Sequence, residues 1–413
     1  MNAATRWRGP FRHRNYRLFW GGQLVSLAGT WMQSIAQAWL ITELTPDPVW
    51  LGVVAAAQFT PVLIFGLFGG VLADVLPKRQ ALIGTQAALM VLALLQALLV
   101  ALGVMSIPLL MVLAVALGTV NAVDMPIRQS FFSEMVPREE VGRAVAFNSA
   151  MFNGARVIGP AIGGVLISVI GVAGCFAVNG ASFLATLIAL LLMREVELHA
   201  APRGVRPRSI TAVRRSLMEG LRYVRNTPIV ALCVFVIGVI SGVAMNFNVI
   251  IPPLARLTLQ IGAPGLGALM AAVGFGSLTG ALTVAALREP RRYMIVIGGA
   301  LLGIFSLAAG VAASSDSALA VPLTALALLG AGFGAISMAA TANASIQTTT
   351  PPALRGRVMS VYTTVFAGST PIGGLATGAA VAALGATGAL EVAGALAVAA
   401  AAFAAYRWRA TIR

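Results

Sequence analysis

Long apolar runs dominate this chain of 413 residues, and they recur along its whole length. A helix that spans a bilayer needs about 20 mostly apolar residues, and many of the runs reach that length. Charged residues make up 10% of the chain, whereas soluble proteins carry about 25%. Because so few charges cannot cover a water-facing surface, we expect an all-α integral membrane protein. The same composition excludes a disordered chain and a disulfide-stapled secreted scaffold.

The apolar runs divide into twelve predicted transmembrane spans. They lie at 17–43, 50–74, 80–103, 107–130, 141–170, 172–193, 228–255, 263–287, 292–313, 318–347, 356–384 and 386–407. Arginine and lysine cluster in every second connection, while the other connections hold Glu43, Asp47, Asp316 and only Arg256 as a basic residue. Because basic connections stay on the cytoplasmic side, we expect both termini to be cytoplasmic. No cleavable signal peptide is predicted, since no small-residue cleavage site follows the first run.

The distribution of basic residues also bears on nucleic-acid binding. The formal net charge is +15, and a strongly basic chain can indicate a nucleic-acid partner. The basic residues fall in short clusters between apolar runs, however, and that distribution indicates membrane topology. No nucleic-acid partner is therefore expected.

One long polar segment, 194–227, separates six predicted spans from six. The chain is predicted to form a six-helix bundle over 1–193, a basic cytoplasmic linker over 194–227 and a second six-helix bundle over 228–413. Within the linker, the stretch from Ile210 to Tyr223 carries apolar side chains at four-residue spacing beside several arginines. This stretch is either an amphipathic helix on the anionic inner leaflet or a solvated linker without fixed structure.

The two halves of the chain repeat each other at an offset of 214 residues, the separation of Pro137 from Pro351. Further matching pairs are Gly142 with Gly356, Arg143 with Arg357, Phe152 with Phe366, Gly154 with Gly368, Gly159 with Gly373, and Gly164 with Gly378. Both copies run in the same predicted direction across the membrane, which predicts two parallel six-helix halves. Parallel repeats with a substrate site between them are a known plan of secondary transporters.

The chain resembles the major facilitator superfamily over essentially its whole length. Four segments resemble the subfamily of the enterobactin exporter and macrolide-efflux proteins: FRHRNYRLFWGGQLVSLAGTWMQSIAQAWLI, NAVDMPIRQSFFSEMVPREEVGRAVAFNS, RVIGPAIGGVLI and LRGRVMSVY. The resemblance implies two six-helix bundles that alternate the access of a cavity between them. It also implies a siderophore, a macrolide or another drug as substrate. A monomer in a bacterial inner membrane is expected.

The end of the second predicted span resembles the superfamily's motif between helices 2 and 3. The matching residues are Gly70, Asp74, Lys78 and Arg79. Val75 and Pro77 stand where the family has a basic residue and a glycine, so the loop departs from the pattern there. The family implies a latch for one cytoplasmic-side conformation, to which Arg355 and Arg357 of the second half contribute. The alternative is a plain basic anchor on the cytoplasmic side.

A glycine and proline motif in the fifth predicted span resembles the motif associated with antiporters of this superfamily. It consists of Gly159, Pro160, Gly163 and Gly164. A Gly-Pro step kinks a helix, and paired glycines allow a neighbouring helix to approach closely. The motif favours export over import, and the alternative is ordinary helix packing.

Charged residues inside the spans are the sharpest local signal, because a charge at a helix centre costs about 2.5–3.5 kcal/mol on insertion scales. Asp124 and Arg128 lie four residues apart, on one face of the fourth span, and Arg156 lies well inside the fifth. Asp124 is the candidate for a protonatable coupling group. The alternative is a fixed ion pair with Arg128 or Arg156. Arg156 could instead contact an anionic or catecholate substrate group.

Polar side chains mark the candidate substrate cavity. The first span carries a stripe at three- and four-residue spacing, formed by Gln23, Ser26, Thr30, Gln33 and Gln37. Such a face looks into protein or water rather than lipid. In the resembled fold, helices 1, 4, 7 and 10 line the cavity, which adds Asn121, Met245, Asn246, Ser337 and Thr341, with possible contacts from Trp31, Gln58 and Phe59. Interhelical hydrogen bonding is the alternative for each of these residues.

The sequence therefore predicts proton-coupled export of an amphipathic small molecule by alternating access. No cofactor, ATP or bound metal is expected, because the chain has no phosphate-binding loop and both histidines lie outside the spans. No enzyme is expected either, since intramembrane catalytic groups are missing from the sequence. Two alternatives are a proton-coupled importer of a small nutrient and a non-transporting receptor or scaffold.

Overall fold

The structure is a computed structural model that describes residues 9–199, 210–287 and 291–409. The side chains at 66–75, 210–217 and 352–353 lie outside this description. Every regular element within the described ranges is helical, which confirms the all-α prediction. Eight of the described helices are long and apolar enough, by length and composition, to cross a membrane.

The long helices follow one another in a simple order along the chain. They are α1 (Arg14–Leu44), α2 (Val49–Val75), α3 (Lys78–Ala101), α4 (Ile107–Phe131), α5 (Val141–Leu191), α6 (Ile210–Asn226), α7 (Pro228–Thr258), α8 (Gly262–Ala286), α9 (Tyr293–Ala313), α10 (Ala320–Thr349) and α11 (Pro352–Arg407). Short 3-10 turns lie at Pro10–Arg12, Phe132–Glu134, Arg138–Glu140 and Glu195–Glu197.

Helices α5 and α11 are each long enough for two spans, and each bends at a glycine. Gly171 has φ 72° and ψ 176°, and Gly385 has φ 73° and ψ 171°. Glycine adopts this backbone region readily, whereas a residue with a Cβ is strained there. The predicted boundaries between spans fall at these two glycines, and the helices are consistent with the predicted count of twelve. The glycines are also one repeat offset apart, so both halves bend at the same place.

Contacts divide the chain into two compact units, Met1–Leu40 with Ala57–Arg206 and Ile41–Ala56 with Pro207–Arg413. In the first unit, α1, α3 and α4 contribute to a buried cluster that includes Tyr16, Phe19, Leu82, Ile127 and Phe131. In the second unit, α10 packs against α8 and α9, and α9 packs against α11. The segment Ile41–Ala56 groups with the second unit, whereas the sequence predicted a first bundle over 1–193.

Helix α6 occupies the linker stretch and packs against α11 within the second unit. The packing is close: a Cβ at Gly220 would lie 2.8 Å from the carbonyl oxygen of Arg357. Val224 is buried, whereas Met218 and Leu221 are exposed. One face of α6 therefore rests on protein, and the outer face keeps apolar side chains beside its arginines.

Candidate substrate and coupling sites

Asp124 lies on α4 and is fully buried within the first unit. Its Oδ1 accepts a hydrogen bond from the Thr85 hydroxyl at 2.6 Å and another from Gln86 Nε2 at 2.8 Å, both on α3. Its Oδ2 lies 3.3 Å from Nε of Arg128, one turn further along α4. The structure therefore brings Asp124 and Arg128 together as an ion pair and fixes the carboxylate from the opposite side.

The two oxygens of the Asp124 carboxylate differ in what they can do. Oδ2 accepts no hydrogen bond from the described residues. A proton can therefore add to Oδ2 without breaking either hydrogen bond to Oδ1. Arg128 supplies the counter-charge, and its side chain is 21% exposed, so it connects the buried carboxylate to the surface of the unit. The geometry is compatible with a fixed ion pair and with a protonation site.

Arg156 lies midway between Val141, where α5 begins, and Gly171, where it bends. Within the described part of the chain, no carboxylate lies within ion-pair distance of its guanidinium. Its Cζ lies 5.6 Å from the centroid of the Trp31 ring on α1. Trp31 in turn contacts Phe152 edge-to-face, with ring centroids 5.8 Å apart. Arg156 thus belongs to an aromatic cluster, and Asp124 is paired with Arg128 instead.

The glycine motif of α5 positions this aromatic cluster. A Cβ at Gly159 would lie 2.5 Å from Cβ of Trp31, and one at Gly163 would lie 3.2 Å from the backbone of α1. The remaining motif residues, also buried in this segment, are Pro160 and Gly164. Because the glycines have no side chains, α1 and α5 approach closely enough for Trp31 to reach Arg156.

The predicted polar stripe on α1 divides between two environments. Its buried members are Gln23, Ser26 and Gln33. Thr30 is exposed, and Gln37 is half-buried. Gln37 Nε2 donates a hydrogen bond to Oε1 of Gln58 on α2 at 3.2 Å. Thr30 and Gln37 therefore keep surface that a small molecule can reach.

Gln33 takes part in a buried hydrogen-bond network inside the first unit. Its Nε2 donates to Oε1 of Gln96 on α3 at 2.7 Å, and its Oε1 accepts from Nδ2 of Asn179 on α5 at 2.5 Å. The Ser182 hydroxyl donates to Oδ1 of Asn179 at 3.0 Å. In this structure Gln33 therefore joins three helices by interhelical hydrogen bonding, the alternative that the sequence left open.

The candidates on α4 and α10 are also engaged with protein. Asn121 is half-buried and donates a hydrogen bond from Nδ2 to the carbonyl oxygen of Leu117 at 3.0 Å. Ser337 and Thr341 are fully buried, and their hydroxyl oxygens have no hydrogen-bond partner among the described residues. A Cβ at Gly280 would lie 2.9 Å from Oγ of Ser337, so this hydroxyl lies at the contact of α8 with α10.

Met245 and Asn246 interrupt α7. Regular turns flank the interruption at Gly242–Ala244 and Phe247–Pro253, and π-helical turns lie at Ile237–Ser241 and Leu254–Thr258. Asn246 Nδ2 donates to the carbonyl oxygen of Gly242 at 2.7 Å and lies 3.1 Å from Oγ1 of Thr377. Met245 is half-buried. Broken helices of this kind commonly form substrate and ion sites in transporters.

Two basic residues of the predicted latch form ion pairs within the first unit. Lys78 Nζ lies 2.5 Å from Oε1 of Glu134, and Arg79 lies 2.5 Å from Oε1 of Glu195. Arg79 also donates hydrogen bonds to carbonyl oxygens at the C-terminal end of α5, where a cation is favoured. The other two predicted latch residues of the first half, Gly70 and Asp74, lie in the stretch 66–75, whose side-chain surroundings are outside the description.

The second-half latch candidates lie at the beginning of α11. Arg357 forms an ion pair with Glu219 of α6. Arg355 is exposed. Arg357 therefore attaches the linker helix to α11 within the second unit.

Sequence reasoning missed the partners that hold these groups in place. The missed residues are Thr85, Gln86, Glu134, Asn179 and Glu219. The intramembrane members could have been found as polar residues within apolar runs, the same signal that marked the stripe on α1. Their partners depend on how the helices are packed, which the spacing along one helix does not contain.

Residues 4–411 match the family model described as transmembrane secretion effector. The chain belongs to this family. The match spans both compact units and confirms the resemblance to major facilitator transporters. The chain is therefore a multi-pass bacterial membrane protein that transports a small molecule.

Efflux proteins are among the relatives of this chain. The chain is 27% identical over 368 residues to the multidrug efflux pump Tap of Mycolicibacterium fortuitum. The aligned residues cover 88% of this chain and 88% of Tap. The chain is also 30% identical over 231 residues to the enterobactin exporter EntS of Escherichia coli O1:K1. This alignment covers 55% of this chain and 52% of EntS.

A solved structure confirms the fold of the chain. A bacterial homologue of the human lysosomal transporter Spinster, solved in an inward-facing and occupied conformation, matches with a TM-score of 0.74 at 15% identity. The match covers 96% of this chain and 97% of the Spinster homologue. The chain thus shares the fold of this bacterial Spinster homologue.

Proposed function

We propose that this transporter exports an amphipathic small molecule in exchange for protons, by alternating access. The similarity to Tap carries the proposal, because it extends over 88% of both chains and Tap is a multidrug efflux pump. EntS adds an exporter of a siderophore across about half of the chain. A drug or a siderophore is therefore the proposed substrate class.

Asp124 is the proposed proton-carrying group of the exchange. A carboxylate that couples protons to transport has to gain and lose a proton without losing its position. The hydrogen bonds of Thr85 and Gln86 to Oδ1 would hold the carboxylate, while Oδ2, which accepts no hydrogen bond and faces Arg128, would take the proton. Arg128 would keep the counter-charge in place when the proton leaves.

The proposed substrate contacts are the predicted cavity residues, taken in each unit separately. Thr30, Gln37 and Asn121 belong to the first unit, and Met245 and Asn246 lie at the break in α7 of the second. The buried members of the predicted set would contact substrate only in a conformation that uncovers them: Gln23, Ser26, Gln33, Asn246, Ser337 and Thr341. Alternating access requires a second conformation of this kind.

The proposed topology has two six-helix bundles, over 1–193 and 228–413, with both termini and the 194–227 linker in the cytoplasm of a bacterial cell. The protein would act as a monomer in the inner membrane. The exposed apolar and basic face of α6 would then contact the anionic inner leaflet. The predicted latch would bias closure of the cytoplasmic side. It consists of Gly70, Asp74, Lys78, Arg79, Arg355 and Arg357.

Everted membrane vesicles test the proposed exchange. Respiration acidifies the vesicle interior, a pH-sensitive dye reports it, and siderophores and antibiotics are added one at a time. We expect at least one compound to release protons from vesicles that contain the protein and not from empty-vector vesicles. Substrate uptake by intact cells that is driven by inward proton flow, with silence in the everted vesicles, would contradict export and indicate the importer.

A further inference from the structure

Arg156 carries a charge that the described residues leave without an acid partner. It lies at the middle of the first half of α5, in a helix segment long and apolar enough to span a membrane. Asp124, the buried carboxylate of α4, is occupied by Arg128, Thr85 and Gln86. Charged groups in membrane spans usually face a partner or a water-filled cavity. Arg156 can therefore pair with an anionic group of a bound molecule.

The side chains around Arg156 indicate what kind of molecule could carry this anionic group. The guanidinium lies 5.6 Å from the Trp31 ring centroid, and the Phe152 ring lies edge-on to Trp31 at 5.8 Å. Phe152 is 43% exposed, and Arg156 is half-buried, so both can be reached by a small molecule. A guanidinium can stack on an aromatic face while its N–H groups bind a carboxylate or a similar oxyanion.

We propose that Arg156, Trp31 and Phe152 form a binding site for an anionic group attached to an aromatic ring, and that the exported molecule carries both. This inference rests on the proposed export function and narrows its substrate class. The oxyanion pairs with the guanidinium, and the ring of the substrate packs against Trp31 and Phe152. A cationic molecule is repelled by Arg156, and a neutral molecule leaves the charge of Arg156 without a partner.

Three compounds of one shape test this site: 2-naphthoate, its neutral amide and 2-naphthylmethylammonium. Their binding is measured by equilibrium titration of the full chain in lipid nanodiscs. We expect 2-naphthoate to bind at least about tenfold more tightly than the amide, because a charged hydrogen-bonded pair is added. Binding in nanodiscs requires neither a proton gradient nor a transport direction. Failure of the export proposal in vesicles therefore stays distinguishable from failure of this site.

Variants assign the binding to the three residues. Arg156→Gln should weaken the binding of 2-naphthoate by about tenfold and leave the binding of the amide nearly unchanged. Arg156→Lys should keep part of the preference for the acid over the amide. Trp31→Leu should weaken both compounds, because it removes the ring. Arg143→Gln is the matched control, since Arg143 is an exposed arginine near the start of the same helix. Thermal unfolding of each variant reports whether the fold is intact.

The outcomes separate a binding site from a structural contact. A preference for 2-naphthoate that disappears in Arg156→Gln and persists in Arg143→Gln supports the site. Equal binding of the acid and the amide, no saturable binding of the acid, or a loss in Arg156→Gln that affects both compounds alike would overturn it.

Discussion

Asp124 is fully buried, and its Oδ2 faces Arg128 in an ion pair without accepting a hydrogen bond. The proposed proton coupling rests on this residue-level feature. The hydrogen bonds from Thr85 and Gln86 occupy only Oδ1. Oδ2 lies 3.3 Å from Nε of Arg128. We propose Oδ2 as the atom that takes the proton, because a proton there leaves both hydrogen bonds to Oδ1 in place.

We expect Asp124→Asn to abolish proton-driven exchange while leaving membrane insertion intact. The amide oxygen can still accept hydrogen bonds from Thr85 and Gln86, whereas the negative charge beside Arg128 is lost. Exchange in everted vesicles is measured beside the amount of protein in the membrane. Asp316→Asn, in an exposed connection before α10, is the matched control and should exchange normally. Normal pH-dependent exchange in Asp124→Asn would rule out the coupling role.

The Gln33 network makes a different residue-level prediction, about stability. Gln33→Leu removes the partner of Gln96 and of Asn179 inside the first unit. A buried polar group left without its partner costs about 1–3 kcal/mol, although hydrogen bonds within membranes average about 0.6 kcal/mol. We therefore expect a loss of about 1 kcal/mol, visible as a lower unfolding temperature in detergent. Gln37→Leu should lower the unfolding temperature less than Gln33→Leu does. Equal decreases in both variants would contradict a special role of the network.

At the scale of elements, two glycine bends and one broken helix depart from regular geometry. The bends in α5 and α11 occur at equivalent positions of the two halves, one repeat offset apart. The break in α7 at Met245 and Asn246 has no counterpart among these bends. Repeated features are expected to serve the fold that both halves share, whereas a feature of one half is a candidate for function.

The bend at Gly171 can be tested without changing any packing contact. Nothing lies within 4 Å of a Cβ at Gly171 or at Gly154, which lies in a helical part of α5. Gly171→Ala forces a strained backbone and should destabilise the protein by about 1–3 kcal/mol. Gly154→Ala should be neutral or stabilise by about 0.5–1 kcal/mol, because glycine is unfavourable inside a helix. Similar unfolding temperatures for the two variants would contradict the assigned role of the bend.

The docking of α6 on α11 gives a second element-level prediction. A side chain at Gly220 collides with the carbonyl oxygen of Arg357. We expect Gly220→Val to displace α6 and to increase trypsin cleavage at the linker arginines in open membrane vesicles. Met218→Val, on the exposed face of α6, is the control and should be cleaved like the wild type. Unchanged cleavage of Gly220→Val would show that α6 does not depend on this contact.

At the scale of the whole molecule, the sequence predicts the elements better than their contacts. Apolar run length predicted the spans, and the predicted boundaries between them fall at the two glycine bends, because this signal is local. The orientation of the α1 stripe was not predictable, since spacing shows that Gln33 and Gln37 share a face but not which helix that face meets. The break in α7 was missed for a related reason, because Asn246 keeps its place through Thr377, far away along the chain.

Reconstitution of the purified protein in liposomes tests the central claim, exchange of a small molecule for protons, most directly. The compound identified in vesicles is added outside liposomes whose interior is acidic, with the membrane potential clamped and internal pH recorded. We predict that the compound accumulates inside while the interior loses protons, beyond the passive uptake of protein-free liposomes. Accumulation only when the interior is alkaline, or flux without proton movement, would contradict the account.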